Sequence, residues 1–451
     1  MVKFMVDVLM VVPPPGIPWN ETSRGLPPLG ISYILSILAQ EGFSTALYDF
    51  PMDCTPLSDL ESILQREKPK IVGVYVSTIM YRNSVRIVKI VKKQNPDILV
   101  VFGGPHSSAL PHESLIDGAD IVVRGEGEYT MLEIAKAFIS GAGQISDIAG
   151  ISYKKDNVAI DNVSRDFIKD LDKLPFPAYD VLLKKYPVCG SMMTGRGCPY
   201  HCVFCAGKNV FGGKYRFRSV ENVFEEMKLL YDKYGIRTFC FVDDTFTAVS
   251  KRAEAICNLI LQEHMDIAWW CETRADCITK DLLELMAKAG CKELQYGVES
   301  GDNRVLRDIQ KGTTVEMVER AVKSAFEAGI LSRCSFMIGH HSDTPESVNN
   351  TMRFIEKLIK EYCVHTVAGV NTPFPGSDTY DHAIELGIEI FSKDWNNYNF
   401  FTPVFNSKYL TAQQISNYFE QTTTLINNSN KQYGVNDKTH RVAQALYVLK
   451  T

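Results

Sequence analysis

The sequence has no stretch approaching the ~20 consecutive apolar residues that a membrane helix needs, so no membrane span is expected. It has no excess of positive charge either. Its 48 Lys and Arg stand against 53 Asp and Glu, a net charge of −5, which argues against a nucleic-acid binder working by bulk charge. Neither an internal repeat nor a low-complexity tract is present. The opening "MVKFMVDVLMVVPPPG" has a lysine before an apolar run but no small-residue cleavage site. It runs into prolines, so it reads as a buried first strand and not as a secretory signal. A cytoplasmic location is therefore expected, and disulfides are not expected among the 12 cysteines.

What is present is an ordinary globular composition, 45% hydrophobic and 22% charged over 451 residues, enough for two or three domains. Residues 1–150 alternate two periodicities. The runs at 5–12, 44–50, 70–76, 98–104 and 120–125 are short and nearly all apolar, as buried parallel strands are. Helical patterns fall near 29–41, 57–67, 82–94, 111–117 and 128–140. The spacing predicts a five-stranded, doubly wound α/β domain, whose ligand lies beyond the carboxyl ends of the strands. Those ends carry "PPPG", then Ser77 and Thr78, then Gly103, Gly104 and His106, then Gly125, Glu126, Gly127 and Glu128. Glycines there let a ligand approach the backbone; turns joining strand to helix are the plainer reading of any one loop.

Residues 151–188 hold a weak hairpin pattern and a proline-marked connector, "LDKLPFPAYDVL", and read as a linker. A second alternating series fills 189–370. Strands are predicted at 189–194, 237–243, 267–273, 292–298, 331–338 and 364–370, with helices near 219–234, 250–263, 279–289, 314–328 and 344–362. Six βα units predict a partial (β/α)6 barrel of the TIM type, with its chemistry at the carboxyl ends of the strands. Residues 371–451 form a small, mainly helical region with helices near 411–430 and 438–449. Its aromatics Phe374, Trp395, Tyr398, Phe400 and Phe401 either pack or cover the barrel mouth.

Nine cysteines (Cys54, Cys189, Cys240, Cys257, Cys271, Cys277, Cys291, Cys334, Cys363) are scattered through apolar segments and read mostly as small buried hydrophobes. The other three lie in "MMTGRGCPYHCVFCAGKNV", where Cys198, Cys202 and Cys205 have C-x3-C-x2-C spacing. Zinc usually takes four protein ligands. His201 lies within the loop but points poorly for joint coordination. Three thiolates suit three corners of a [4Fe–4S] cube, leaving the fourth iron open to a small molecule.

With "GRGCP" before it and six βα units after it, this loop resembles the signature of the radical S-adenosylmethionine superfamily. The resemblance implies that the open iron binds S-adenosylmethionine and that reductive cleavage yields a 5′-deoxyadenosyl radical. It places Phe204 beside the adenine. "QYGVESGDNRVL" (295–306) is similar to the family's strand-four motif, which makes Gly297 and Glu299 candidates at the ribose. A carboxylate suits a ribose diol because it accepts two hydroxyl hydrogen bonds. "WWCETRAD" (269–276) resembles the strand-three end, with Glu272 and Arg274 facing the cavity. Arg274 either pairs with the methionine carboxylate or makes an internal ion pair. In "FVDDTFT" (241–247), Asp243 and Asp244 either hold substrate or organise the loop. Arg216 and Arg218 in "GGKYRFRS" are expected in ion pairs near the cluster loop.

A doubly wound domain before such a barrel resembles the cobalamin-binding branch of that superfamily. "RGLPPLGISYILSILAQEGFSTALYDF" (24–50), "GGPHSSALP" (103–111) and "VVRGEGE" (122–128) look like its segments, and the resemblance spans roughly residues 3 to 370. It implies a cobalamin whose nucleotide tail lies in the first domain, with Ser77, Thr78, Gly103, Gly104, His106, Gly125 and Glu126 as contacts. The D-x-H-x-x-G motif that donates histidine to cobalt is missing, so no protein histidine is expected on cobalt. One segment departs from the branch: "FMIGHHSDTPES" (336–347) has His340 and His341 where a leucine-proline-glycine turn is usual. At the barrel mouth they could move a proton or bind a polar substrate group, or serve only as structural hydrogen-bonding residues.

The resemblance implies cobalamin-dependent methyl transfer to an unactivated carbon of a small molecule. Its alternative is cobalamin-dependent cyclisation, rearrangement or oxidation. The cofactors expected are a [4Fe–4S] cluster, S-adenosylmethionine and cobalamin. The partners expected are a small-molecule substrate and an external electron donor such as flavodoxin or ferredoxin, with no nucleic acid.

Overall fold

The computed structural model describes residues 6–17, 27–156, 158–186 and 190–435. Cys189 and the helix expected at 438–449 lie outside these. The chain divides into two compact units. One takes Met1–Pro187, Ala206–Gly212 and Asp394–Asn396; the other takes Val188–Cys205, Gly213–Lys393 and Asn397–Thr451.

The first unit is built on β1 (Val8–Val12), β2 (Thr45–Asp49), β3 (Ile71–Tyr75), β4 (Leu99–Gly103), β5 (Ile121–Val123), β6 (Ile151–Lys155) and β7 (Val158–Asp161). The first five are parallel, in the order β2-β1-β3-β4-β5. The central strands are the most buried because helices cover the sheet; all five residues of β1 are buried, while the edge strand β2 is mostly half-buried. The strand order reverses between β1 and β3, the switch point beside which such sheets bind ligands. The sheet has seven strands, not five. The hairpin β6–β7 adds two antiparallel strands beyond β5, with Val123 opposite Ile151. Ile151 is buried, while β7 is largely exposed, as an edge strand can be.

The second unit carries β8 (Gly190–Met192), the short pair β9 (Gly195–Arg196) and β10 (Arg216–Phe217), then β11 (Thr238–Phe241), β12 (Ala268–Thr273), β13 (Cys291–Glu299), β14 (Leu331–Ile338) and β15 (His365–Val370), and a last short pair, β16 (Glu389–Ile390) and β17 (Phe405–Asn406). Its main sheet runs β15-β14-β13-β12-β11-β8, every pair parallel. The six strands are those the alternation predicted. Among the described residues β8 and β15 do not pair, so the barrel is open.

The two faces of this sheet differ. On β14, Ser332, Cys334, Phe336 and Ile338 are buried, and Phe336 packs edge-on against Phe354 of helix Pro345–Tyr362. The alternate residues Leu331, Arg333, Ser335 and Met337 are partly exposed. On β12, the Trp269 Nε1–H donates to the Ala289 carbonyl at the end of helix Lys280–Lys288 (2.8 Å), which puts Trp269 on the helix side. A closed barrel packs its inner face; this one leaves it accessible.

Helix Ala412–Tyr433 starts with a capping box of Thr411 and Gln414 and packs on helix Pro345–Tyr362 and β15. Gly339, at φ +92° just past β14, accommodates it: a Cβ there would lie 2.9 Å from Ile415 Cγ2. Among the described residues no helix is long and apolar enough to cross a membrane.

Candidate active site

The cysteine loop leaves the carboxyl end of β8 through β9 and is clamped at both ends. Upstream, the buried Asp243 carboxylate accepts from the Thr194 N–H (2.6 Å), the Thr194 hydroxyl (2.6 Å) and the Tyr215 hydroxyl (3.0 Å). Arg252 donates to the Thr194 hydroxyl and carbonyl oxygens. Burial pushes the Asp243 carboxyl up, while Arg252 and these donors oppose the shift. Of the two readings of Asp243, these bonds favour the loop-organising one. Its two oxygens are used up in fixing the strand that leads into the thiols, so Asp243 organises the loop.

Inside the loop, Val203 is the anchor. Its N–H donates to Ile309 O (3.1 Å), its carbonyl accepts from the Thr379 N–H (3.0 Å), and its side chain is buried with Val305, Leu306 and Ile309. The apolar residue between Cys202 and Phe204 thus pins the thiols against helix Asn303–Asp308. Cys198 and Cys202 are partly buried, Cys205 is exposed, and all three are free thiols. No three His, Cys, Asp or Glu side chains among the described residues converge as on a single ion. A cube held at three separate irons does not need that convergence. Burial pushes the Cys202 thiol up, and the Lys311 and Arg274 cations pull it back. A Cys-only donor set with cations behind it fits an iron–sulfur cluster.

Arg274 is one of those cations, and its fork is already engaged. Nε and Nη2 donate to the Asp276 carboxylate, each at 3.0 Å, and Nη2 also donates to Lys311 O (2.6 Å). The guanidinium stacks 3.5 Å over the Tyr200 ring, and Nη1 lies 4.0 Å from Cys202 Sγ. Of the two readings of Arg274, the internal ion pair is the one observed. What remains of the fork faces the thiol.

Glu299 ends β13 on a bulge. The register with β14 skips Val298, so Gly297 pairs with Ser335 and Glu299 with Phe336. Glu299 sits at φ +73°, a region that costs a side-chain-bearing residue about 1–2 kcal/mol. Its carboxylate accepts from Lys311 Nζ (3.1 Å), and Lys311 Nζ lies 5.8 Å from the Phe204 ring centre. Gly297 makes room for this pair: a Cβ there would lie 2.5 Å from Glu299 Oε1 and 3.0 Å from Lys311 Nζ. Phe204, Gly297, Glu299 and the thiol loop are thus brought together, joined by Lys311.

His340 is fully buried, its ring 5.8 Å from that of Phe204. Its Nε2 lies 3.4 Å from the Glu299 carbonyl oxygen. Burial lowers its pKa to about 4, so near neutral pH it is uncharged and holds the backbone of Glu299. Of the readings open to His340, this favours the structural one, with desolvation outweighing the attraction of the nearby carboxylate. Its turn is fixed by Asp343, whose Oδ2 accepts from the Gly339 and His340 N–H groups, each at 3.0 Å. His341 is half-buried, with its pKa lowered by burial. Its Nδ1, like that of His340, has no partner among the described residues. Glu272 lies on the accessible face of β12; burial, and then the charges of Asp244, Glu299 and Asp243, push its carboxyl up to about 7.

In the first unit the expected cofactor contacts separate into two sets. Ser77, Gly103, Gly104 and Gly125 keep exposed surface at the strand ends. Gly104 sits at φ +112°, where a Cβ would lie 2.9 Å from Val76 O, and the Gly125 N–H donates to Ser108 Oγ (3.1 Å). Thr78, His106 and Glu126 are buried. His106 Nδ1 bonds Thr78 Oγ1 (3.2 Å), its ring lies between Tyr81 (4.2 Å) and Trp395 (4.9 Å), and burial lowers its pKa to about 3. Glu126 accepts from the Ile168 N–H (2.7 Å). These three brace the loops and do not face outward. The glycine-lined carboxyl ends of β4 and β5 fit the backbone approach that a cobalamin tail needs.

Lys311, Arg252 and Tyr215 were not singled out in the sequence. None lies in a spaced motif, and each reaches its partner only through the fold.

The Radical SAM superfamily profile matches residues 192–355 and the B12 binding domain profile matches residues 22–135. The chain is 35% identical over 421 residues to an uncharacterized methyltransferase of Pyrococcus horikoshii, covering 91% of this chain and 90% of that one. It is 28% identical over 403 residues to an anaerobic magnesium-protoporphyrin IX monomethyl ester cyclase of Rubrivivax gelatinosus, covering 85% and 70%. Its fold is similar to that of a radical S-adenosylmethionine methyltransferase, TsrM, of Kitasatospora setae solved with cobalamin and a [4Fe–4S] cluster. There the TM-score is 0.72 at 20% identity, over 86% of this chain and 81% of that one.

Proposed function

The chain belongs to the radical S-adenosylmethionine enzymes that carry a cobalamin-binding domain, and on that premise we propose that it transfers a methyl group to an unactivated carbon of a small molecule. Its cofactors are a [4Fe–4S] cluster, S-adenosylmethionine and cobalamin. When bound, they supply a hydrogen-abstracting radical and a transferable methyl group; the protein positions them and excludes competing reactions.

In this reading Cys198, Cys202 and Cys205 hold the cluster. Arg274 and Lys311 offset its negative charge from behind. Glu299, turned outward by the bulge and steadied by Lys311 and His340, takes the ribose diol, and Phe204 lies beside the adenine. Ser77, Gly103, Gly104 and Gly125 take the cobalamin tail. The cobalamin role falls to residues 1–150 and the radical role to 189–370, with 151–188 joining them and 371–451 closing the chain. A one-electron donor such as a flavodoxin or ferredoxin supplies the reducing equivalent, and the cytoplasm is the compartment in which such a donor and free thiols coexist.

The observation that carries the reading is the presence on one chain of a clamped three-thiol loop and a cobalamin-type sheet, with an uncharacterized methyltransferase among its relatives across nearly the whole length. The test is anaerobic incubation of iron- and sulfide-reconstituted protein with methylcobalamin, methyl-labelled S-adenosylmethionine, reductant and candidate metabolites, followed by mass spectrometry. Equal amounts of 5′-deoxyadenosine and S-adenosylhomocysteine, with label in a product, are expected. 5′-Deoxyadenosine without S-adenosylhomocysteine would favour the cyclase class that the Rubrivivax relative represents.

A further inference from the structure

The accessible face of the second sheet carries one polar row across four strands. The register pairs Glu272 of β12 with Gln295 of β13, Gln295 with Arg333 of β14, and Arg333 with His365 of β15. Side chains paired across neighbouring parallel strands share a face, roughly 4.8 Å apart. All four residues are partly exposed. Toward the strand starts, the same face carries Trp270, Glu293 and Leu331; toward the ends it carries Gly297, Ser335 and Val367.

Arg333 is the unusual member. It makes no hydrogen bond or ion pair among the described residues, and Gln295 makes none either. A guanidinium keeps its charge at any physiological pH and presents a fork of five donors. Drawing it partly out of water without a counterion costs free energy. By contrast, Arg218, Arg252 and Arg274 of this unit, all buried, each hydrogen-bond to a protein partner. Arg333 alone of these four points its donors onto an open face beside an unengaged amide.

We propose that this row anchors the substrate, and that the substrate carries an oxyanion group, carboxylate or phosphate, held by Arg333 with Gln295 beside it. The proposal rests on the reading of this unit as the seat of the radical chemistry, and it names the class of molecule acted on. Glu272, whose carboxyl burial pushes up to about 7, completes the row with a group able to donate or accept a proton-bearing hydrogen bond at the far end of the same ligand. An acidic substrate fixed at mid-sheet would present its remote carbons toward the strand ends, where the thiol loop and Glu299 lie.

The test is isothermal titration of the full-length, cluster- and cobalamin-loaded protein with inorganic phosphate, with succinate, and with succinamide. Saturable binding of phosphate or succinate, but not succinamide, is expected in the wild type. Arg333→Met should weaken it at least about tenfold, the loss of one charge-assisted pair. Arg333→Lys should restore phosphate more than succinate, because a point charge replaces a planar fork. Phosphate alone would assign a phosphorylated substrate, succinate alone a carboxylic one. Equal binding by wild type and Arg333→Met, or no binding of either anion by wild type, would overturn the proposal. Titration needs no turnover, so a wild type that bound the anion yet left S-adenosylmethionine uncleaved would count against the radical reading and not against the anchor.

Discussion

At the scale of single residues, burial decides which titratable groups can act. His340 and Glu272 both border the sheet face or its mouth, and burial moves them in opposite directions: His340 down to about 4 and Glu272 up to about 7. In each case desolvation favours the neutral form. For Glu272 this has a consequence for stability. An unfolded glutamate titrates near 4.3. Between that value and about 7 the folded protein binds more protons than the unfolded chain, so stability falls as pH rises through that window. The loss is absent below it and complete above it, on the order of 3–4 kcal/mol. Glu272→Gln has no charge to desolvate. Its melting temperature should exceed that of wild type by a margin that widens from pH 5 to pH 8. Parallel curves would show that Glu272 is solvated and ionised as usual.

At the scale of elements, most of the fold was legible because alternation and turn signals repeat through both units. The six strands of the second sheet lie where the apolar runs place them. The hairpin β6–β7 was legible as a hairpin but not as part of the first sheet, because pairing with β5 depends on a partner far away in sequence. The bulge at Val298 was also hidden. A one-residue skip depends on register, which "QYGVES" does not reveal. Yet that skip turns Glu299 toward Lys311, and Gly297 leaves space for the pair. Gly297→Ala puts a methyl group 2.5 Å from Glu299 Oε1, so the carboxylate must swing away while the strand, at an ordinary φ, stays intact. S-adenosylmethionine should then bind about tenfold more weakly, the loss of about one charge-assisted hydrogen bond, with little change in melting temperature. Unchanged affinity in equilibrium dialysis would remove Glu299 from the ribose.

At the scale of the whole molecule, the thiol loop and the glycine-lined strand ends belong to different compact units. Cys198, Cys202 and Cys205 fall in the second, while Ser77, Gly103, Gly104 and Gly125 fall in the first. Each unit builds its site on its own parallel sheet, at the carboxyl ends of its own strands. The thiols hang on Asp243, Arg252 and Val203. The strand-end loops of the first unit hang on Thr78, His106 and Ser108. Among the described residues these named supports are different side chains, and effects of residues without shared partners are close to additive. The two cofactors should therefore be separable by mutation. Changing all three thiols to alanine should abolish iron and sulfide uptake and 5′-deoxyadenosine formation. Cobalamin should still bind within about threefold of wild type, a difference below ~1 kcal/mol, as read from corrin absorbance on titration. Loss of corrin binding in that variant would mean that the cluster loop helps to build the cobalamin site, and the assignment of that site to residues 1–150 would fall.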